Sequence, residues 1–175
     1  MKFLSENFND LRPLYINQLR SLLSVEEHLV RTLPDMVERA TDQRLRQALQ
    51  SHFQETEVHV TRLEKILGDA KGVDPTVGLI GPLKNKAIVA LVEEAEDMIL
   101  DARNAYVRDV VLIAAAQRIE HYEIAAYGAV RHFAHVLGDS AAAELLDKTL
   151  KEEGHADHLL SSIAERVNPD ATVAA

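Results

Sequence analysis

Carboxylates, mostly accompanied by histidines, recur about one helical turn apart in four stretches of otherwise apolar, helix-patterned sequence. They are Glu26, then His52, Glu55 and His59, then Glu120 and Glu123, then Glu152 and His155. Glu26 precedes Glu55 by the same number of residues as Glu123 precedes Glu152. Equal offsets in two helix pairs, each turning acids and imidazoles inward, suggest a bundle that holds two metal ions at its centre. A carboxylate buried without a cation is costly, so the pattern calls for a physical explanation.

The strongest case is the second stretch. Leu45, Leu49, His52, Thr56, His59, Leu63 and Ile66 advance by steps of four and three, so both histidines stand on a seam that leucines occupy above and below. Glu55 lies three after His52 and four before His59, so all three are expected to share a face. In the third stretch Glu120 and Glu123 are spaced (i, i+3) in a segment apolar nearly all round, where they would repel each other unless neutralised. In the fourth, Glu152 with His155 forms a Glu-x-x-His pair. Leu145, Thr149, Ala156, Leu159 and Ile163 favour Glu152 as the inner acid, whereas Leu146, Leu150, Asp157 and Leu160 favour Glu153. Glu26 lies nearer than Glu27 to the face drawn by Leu19, Leu22, Leu29 and Leu33. The competing structural reading pairs these acids with arginines such as Arg118 or Arg131.

The elements that position them are all helical. The first helix is predicted to start near Ser5, with Pro34 kinking it or restarting it as a short piece through Ala40. Thr41-Asp42 caps a second helix that ends at Gly68. Residues 69–82, rich in glycine and proline, form the main loop, and a shorter helix follows over about 83–100. Asp101 to Asn104 marks a bend. The next helix runs from about Tyr106 to Leu137 and closes at Gly138, and the last continues from Asp139 or Ser140 to Val167, where Asn168-Pro169 ends it. The expected architecture is all-α: a four-helix bundle over residues 1–168 with a long crossover and one additional shorter helix, and a frayed tail over 169–175.

Composition narrows the function. A chain of 175 residues suits one domain with a substantial core. The absence of cysteine excludes disulfides, thiolate metal sites, iron–sulfur clusters and thiol catalysis. A net charge of −9 argues against a nucleic-acid partner. The longest apolar run, Val110 to Ala116, is too short to span a bilayer and residues 1–30 lack a signal-peptide pattern, so a cytoplasmic location with no membrane partner is expected.

The run from Ala114 to Gly128, AAAQRIEHYEIAAYG, resembles the signature of the YciF-like bacterial stress-protein family, as do Ser24 to Leu29, His52 to Thr56 followed by Arg62-Leu-Glu64, and Lys151-Glu-Glu153. The resemblance covers almost the whole chain. It implies a ferritin-like bundle with a dinuclear metal-binding motif, assembled as a homodimer. In the wider ferritin-like group, rubrerythrins especially, Glu26, Glu55, Glu120, Glu123 and Glu152 match the carboxylate positions. Val58 stands where a strict Glu-x-x-His would place a ligand, so His59 or His52 substitutes; His155 keeps the strict spacing if Glu152 is the inner acid. By that likeness Glu55 and Glu152 bridge the ions, Glu26 and Glu120 are terminal ligands, and Glu123 alternates between the two.

Carboxylate-rich ligation with one imidazole per ion suits two iron ions, or manganese, better than copper or structural zinc. The expectation is a stress-response di-iron protein that consumes peroxide or oxygen, or handles iron. Tyr122 and Tyr127 stand near enough in sequence to support the ligands. With no cysteine cluster, electrons would come from an external donor. The alternative is a helical scaffold or interaction protein whose inward acids form ion pairs or a vestigial site.

Overall fold

A computed structural model describes residues 8–70 and 83–173. Five helices follow one another: α1 (Leu11–Arg39), α2 (Gln43–Asp69), α3 (Lys86–Asp101), α4 (Ala105–Val136) and α5 (Ser140–Val173). There is no strand among the described residues. The helix α1 packs on α2 and α4 on α5; α1 also meets α4 and α2 meets α5, which closes the four long helices into a ferritin-like bundle. The shorter α3 lies against α4 and α1.

Each helix start has a local cause. Asp10, Asp42, Asn85 and Asn104 cap α1 to α4, their side chains accepting from amides of the first turn. Asp139 serves α5 in the same way, accepting from the Ala142 N–H at 3.1 Å. The α4–α5 turn is a Schellman motif: the Asp139 N–H reaches the Ala134 carbonyl at 2.9 Å and the Gly138 N–H reaches His135 at 3.1 Å. Gly138 sits at φ +76°, where a side chain would be strained.

Four boundaries differ from the sequence expectation. The first helix begins at Leu11 behind Asp10, and Ser5 falls outside the described residues. Pro34 neither stops nor restarts α1, which continues to Arg39 because Leu33 and Met36 remain anchored in the core on either side. The bend at 101–104 is a full break, since Asn104 caps a new helix. Pro169 does not end α5: the helix runs on to Val173, with the Thr172 hydroxyl donating to the Pro169 carbonyl at 2.7 Å. Most of the 69–82 loop falls outside the described residues.

Two apolar clusters divide the interior. One gathers Leu29, Leu33, Leu45, Leu49, Leu112 and Ile163, the other Leu19, Leu22, Leu63, Tyr127, Val130 and Leu146. The acidic residues lie along the helices between them. At the α1–α2 turn, buried Asp109 of α4 accepts from the backbone N–H of Thr41 at 2.7 Å and of Asp42 at 2.8 Å, tying one hairpin to the other. Asp109→Ala strips two amides of a charged acceptor and is expected to cost about 2–4 kcal/mol, read as a lower urea midpoint at unchanged m-value.

Candidate metal centre

The inward acids and imidazoles come from all four long helices. The buried face of α1 runs Leu19, Leu22, Glu26, Leu29, Leu33. That of α2 carries His52, Thr56 and His59 in the steps of four and three expected from sequence. Helix α4 turns in Glu120, Glu123 and Tyr127. On α5 the buried series is Leu146, Thr149, Glu153, Ala156, Leu160, Ile163, Val167, so Glu153 occupies the seam and Glu152 stands beside it.

Two groups of donor atoms converge. His52, Glu120, Glu123 and Glu153 each offer one ligand atom within 4.8 Å of the others, and so do Glu26, His59 and Glu153. Glu153 belongs to both. Glu26, Glu123, His59 and Glu153 have no solvent exposure at all.

With their carboxylates ionised, these groups leave one another unmatched. Eight side-chain atoms in the cluster lack a hydrogen-bond partner: both oxygens of Glu123 and of Glu153, Glu26 Oε2, Glu120 Oε2, and Nδ1 of His52 and of His59. His59 Nδ1 lies 3.0 Å from Glu153 Oε1 and 3.5 Å from Glu26 Oε1, yet is not aligned to bond either. Cis ligands of a six-coordinate ion with bonds of about 2.1 Å are about 3.0 Å apart. Atoms that crowd a shared point without bonding one another are what such a donor set looks like; an ion-pair network would leave far fewer orphans. The residues therefore fit two hard-to-borderline divalent cations held by carboxylates with one imidazole each.

The surroundings orient the donors. The Tyr127 hydroxyl donates to Glu26 Oε1. His59 Nε2 lies 3.0 Å from Glu152 Oε2, and Arg62 grips Glu152 with both terminal nitrogens, Nη2 to Oε1 at 3.1 Å. Glu152 is acceptor-only when ionised, so it holds the proton on Nε2 and turns Nδ1 toward Glu26 and Glu153. Burial pushes Glu152 upward, but bonds from Arg62 and His59 more than offset this and hold it below the usual carboxylate range.

Protonation follows the same geometry. Burial and the carboxylates around them push Glu120 and Glu123 well above the ordinary value. Glu153 rises to about 7, driven by burial and Glu26 and restrained by His59. Burial, with the nearby His59 cation, lowers His52 to about 4, whereas burial of His59 is outweighed by Glu153 and Glu26, which raise it to about 10.

Sequence reasoning placed Glu26, His59, Glu120 and Glu123 at the centre, and the structure brings these four together. It does not bring in the other three. Glu55 is rotated off the α2 seam by one residue from buried Thr56, and its side chain remains 37% exposed near His52. Glu152 is half-buried and engaged with Arg62 and His59. His155 is exposed, and its Glu-x-x-His spacing runs from half-buried Glu152 and not from buried Glu153. The two alternatives the sequence left open, His52 and Glu153, complete the cluster. The series Leu146, Thr149, Glu153, Ala156, Leu160, Ile163 repeats the alternation of threes and fours seen in α2, but the sequence offers Glu152 a competing series through Leu145, Thr149, Ala156, Leu159 and Ile163.

Two outcomes test this description without metal. In chelator, His59 keeps a proton in the folded state that the unfolded chain releases, so stability falls as pH rises from 6.5 to about 10, by up to about 1.4 kcal/mol per unit, and Glu120 and Glu123, raised from the ordinary carboxylate value, act in the same sense. His52, which binds protons less when folded, acts in the opposite sense but only below 6.5. Urea titrations across that range check the slope. Glu123→Leu, which removes two orphaned oxygens at similar volume, should leave the metal-free protein equally or more stable by about 1–3 kcal/mol; a loss of stability would contradict the orphaned-acid description.

The protein-family model described as "Domain of unknown function (DUF892)" matches residues 10–172. Protein YciF of Escherichia coli strain K12 is 34% identical over 158 residues, spanning 90% of this chain and 92% of its own. The crystal structure of the E. coli stress protein YciF is similar with a TM-score of 0.85 at 33% identity, covering 92% of this chain and 98% of that one. YcfI from Rhodopseudomonas palustris, described provisionally as a structural protein, gives a TM-score of 0.83 at 31% identity over 91% and 98%. No described helix is long and apolar enough to cross a membrane. With the family model matched over nearly the entire bundle, the chain belongs to the DUF892 family of YciF-like helical-bundle proteins.

Proposed function

We propose that this protein is a dinuclear metal carboxylate protein, with iron as the resident metal and manganese as the alternative, acting on peroxide or oxygen in a stress setting like that for which YciF of E. coli is described. The observation that carries the reading is the set of eight unpartnered buried donor atoms converging between two apolar clusters. His52, Glu120, Glu123 and Glu153 would hold one ion; Glu26, His59 and Glu153 the other. When bound, a pair of iron ions supplies reversible one-electron steps to a small oxidant.

The chain's own groups prepare that chemistry. Tyr127 fixes one oxygen of Glu26 and leaves the other free. The Arg62–Glu152 pair fixes the tautomer and ring angle of His59. The apolar layers on both sides keep water out and hold the donors in a low-dielectric space, where a charged cluster attracts a cation far more strongly than a surface cluster does. The absence of cysteine leaves no thiolate electron path within the chain, so an external donor belongs to the same proposal, and homodimeric assembly enters it only from the family resemblance.

Protein purified without chelator is expected to carry about two iron or manganese ions per chain by elemental analysis. Glu153→Ala should lose both, whereas Glu152→Ala should keep the site with roughly 10–100-fold weaker affinity. Added Mn²⁺ should raise the Tm of wild type and release protons, as the Nδ1 proton of His59 and those of Glu120 and Glu123 are displaced. A metal-free protein whose melting ignores Fe²⁺ and Mn²⁺ would favour the helical-scaffold alternative. Peroxide consumption by loaded protein then separates an enzyme from a metal binder.

A further inference from the structure

We propose that the cleft between α2 and α5 is the path by which a divalent cation reaches and leaves the buried cluster, with Glu55 and His155 as the groups it meets first; this rests on the metal-centre reading above. The cleft has a volume of about 80 Å³. Its inner end is made by His52 and Glu120, and its outer end by Ser51, Glu55 and His155. These last three are exposed or half-exposed. The cleft therefore runs from solvent to two members of the cluster.

Three features make it a path rather than a packing gap. First, residual exposure of the cluster is confined to its two cleft-lining members, His52 at 7% and Glu120 at 2%, while the other four are sealed. Second, His52 Nδ1 and Glu120 Oε2 are buried without partners at that inner end, so an arriving cation finds open donors. Third, Ala48 and Ala156 are among the residues lining the cleft, and larger side chains at these two positions would take up part of its small volume.

Size and chemistry select the traveller. A volume of about 80 Å³ is well below the 300–1,000 Å³ of organic-ligand pockets, which leaves ions and a few waters. A hydrated divalent cation must shed water to pass, and a carboxylate followed by imidazole replaces those ligands one at a time. Glu55 lies 3.9 Å from His52 Nδ1 and is placed to hand the ion inward. The net charge of −9 favours the approach of cations to the protein as a whole. This gives a role to the two acid-and-imidazole residues that the sequence singled out and the cluster does not use.

The test follows Co²⁺ uptake by the full chain in stopped-flow absorbance and its removal by EDTA, with equilibrium titration alongside. Ala48→Leu and Ala156→Leu, each checked for folding by circular dichroism, should slow uptake and removal together by roughly tenfold or more, with Kd within about twofold of wild type, because a path alters the barrier and not its two ends. The double variant Glu55→Gln with His155→Gln, which does not disturb the packed core, should slow uptake roughly threefold or more at unchanged stoichiometry. Unchanged rates in all of these variants would overturn the path. Loss of stoichiometry in Glu55→Gln alone would also overturn it, by making Glu55 a ligand. A wild-type chain that takes up no Co²⁺ would overturn the metal-centre reading itself.

Discussion

Four glutamates, Glu26, Glu120, Glu123 and Glu153, are buried side by side between two apolar clusters, and the rest of the molecule is arranged around that fact. Like charges at this spacing in a low-dielectric interior repel by several kcal/mol, and each carboxylate also forfeits its hydration. Protons relieve part of this, which is why burial and mutual repulsion push Glu120, Glu123 and Glu153 upward. A single imidazolium, His59, offsets another part. With the carboxylates ionised, eight atoms of the cluster lack a hydrogen-bond partner. The bundle tolerates the arrangement because leucines, isoleucines and valines above and below hold the four helices together regardless of what the middle layer contains.

Holding repelling groups in place requires rigid support outside the layer. Asp109 binds the α1–α2 turn to α4, and the Schellman turn at Gly138 sets how α5 returns along α4. Asn85 does comparable work at the start of α3, capping that helix with its oxygen while its amide reaches the Ser21 hydroxyl at 2.8 Å and the Tyr122 hydroxyl at 2.6 Å. Tyr122 and Glu123 are adjacent on α4, so this bond joins the outer helix to the neighbourhood of the site. Tyr122 therefore braces the fold, while Tyr127 touches an acid directly.

Much of the fold was legible because its signals are local. Helical spacing of Leu45, Leu49, Leu63 and Ile66, a cap at Asp42, and a stop at Gly138 depend on neighbours in sequence. Pro169 misled because a proline removes only one backbone hydrogen bond, and the helix continues past that loss. Asp109 was invisible: one acid among many, it acquires partners 67 and 68 residues away only when the hairpins meet.

The sequence by itself determined that carboxylates and imidazoles would line the inside of a ferritin-like bundle, because a period of three and four residues places them on the leucine seams of α1, α2 and α4. Tertiary structure alone decided which of two neighbours on α5 turns inward. A helix advances about 100° per residue, so Glu152 and Glu153 are separated by less than the width of an apolar face. Only the packing of α5 against α2 and α4 chooses between them. That rotation puts Glu153 into both donor groups, leaves Glu152 to hold His59 with Arg62, and carries His155 out to the mouth of the cleft.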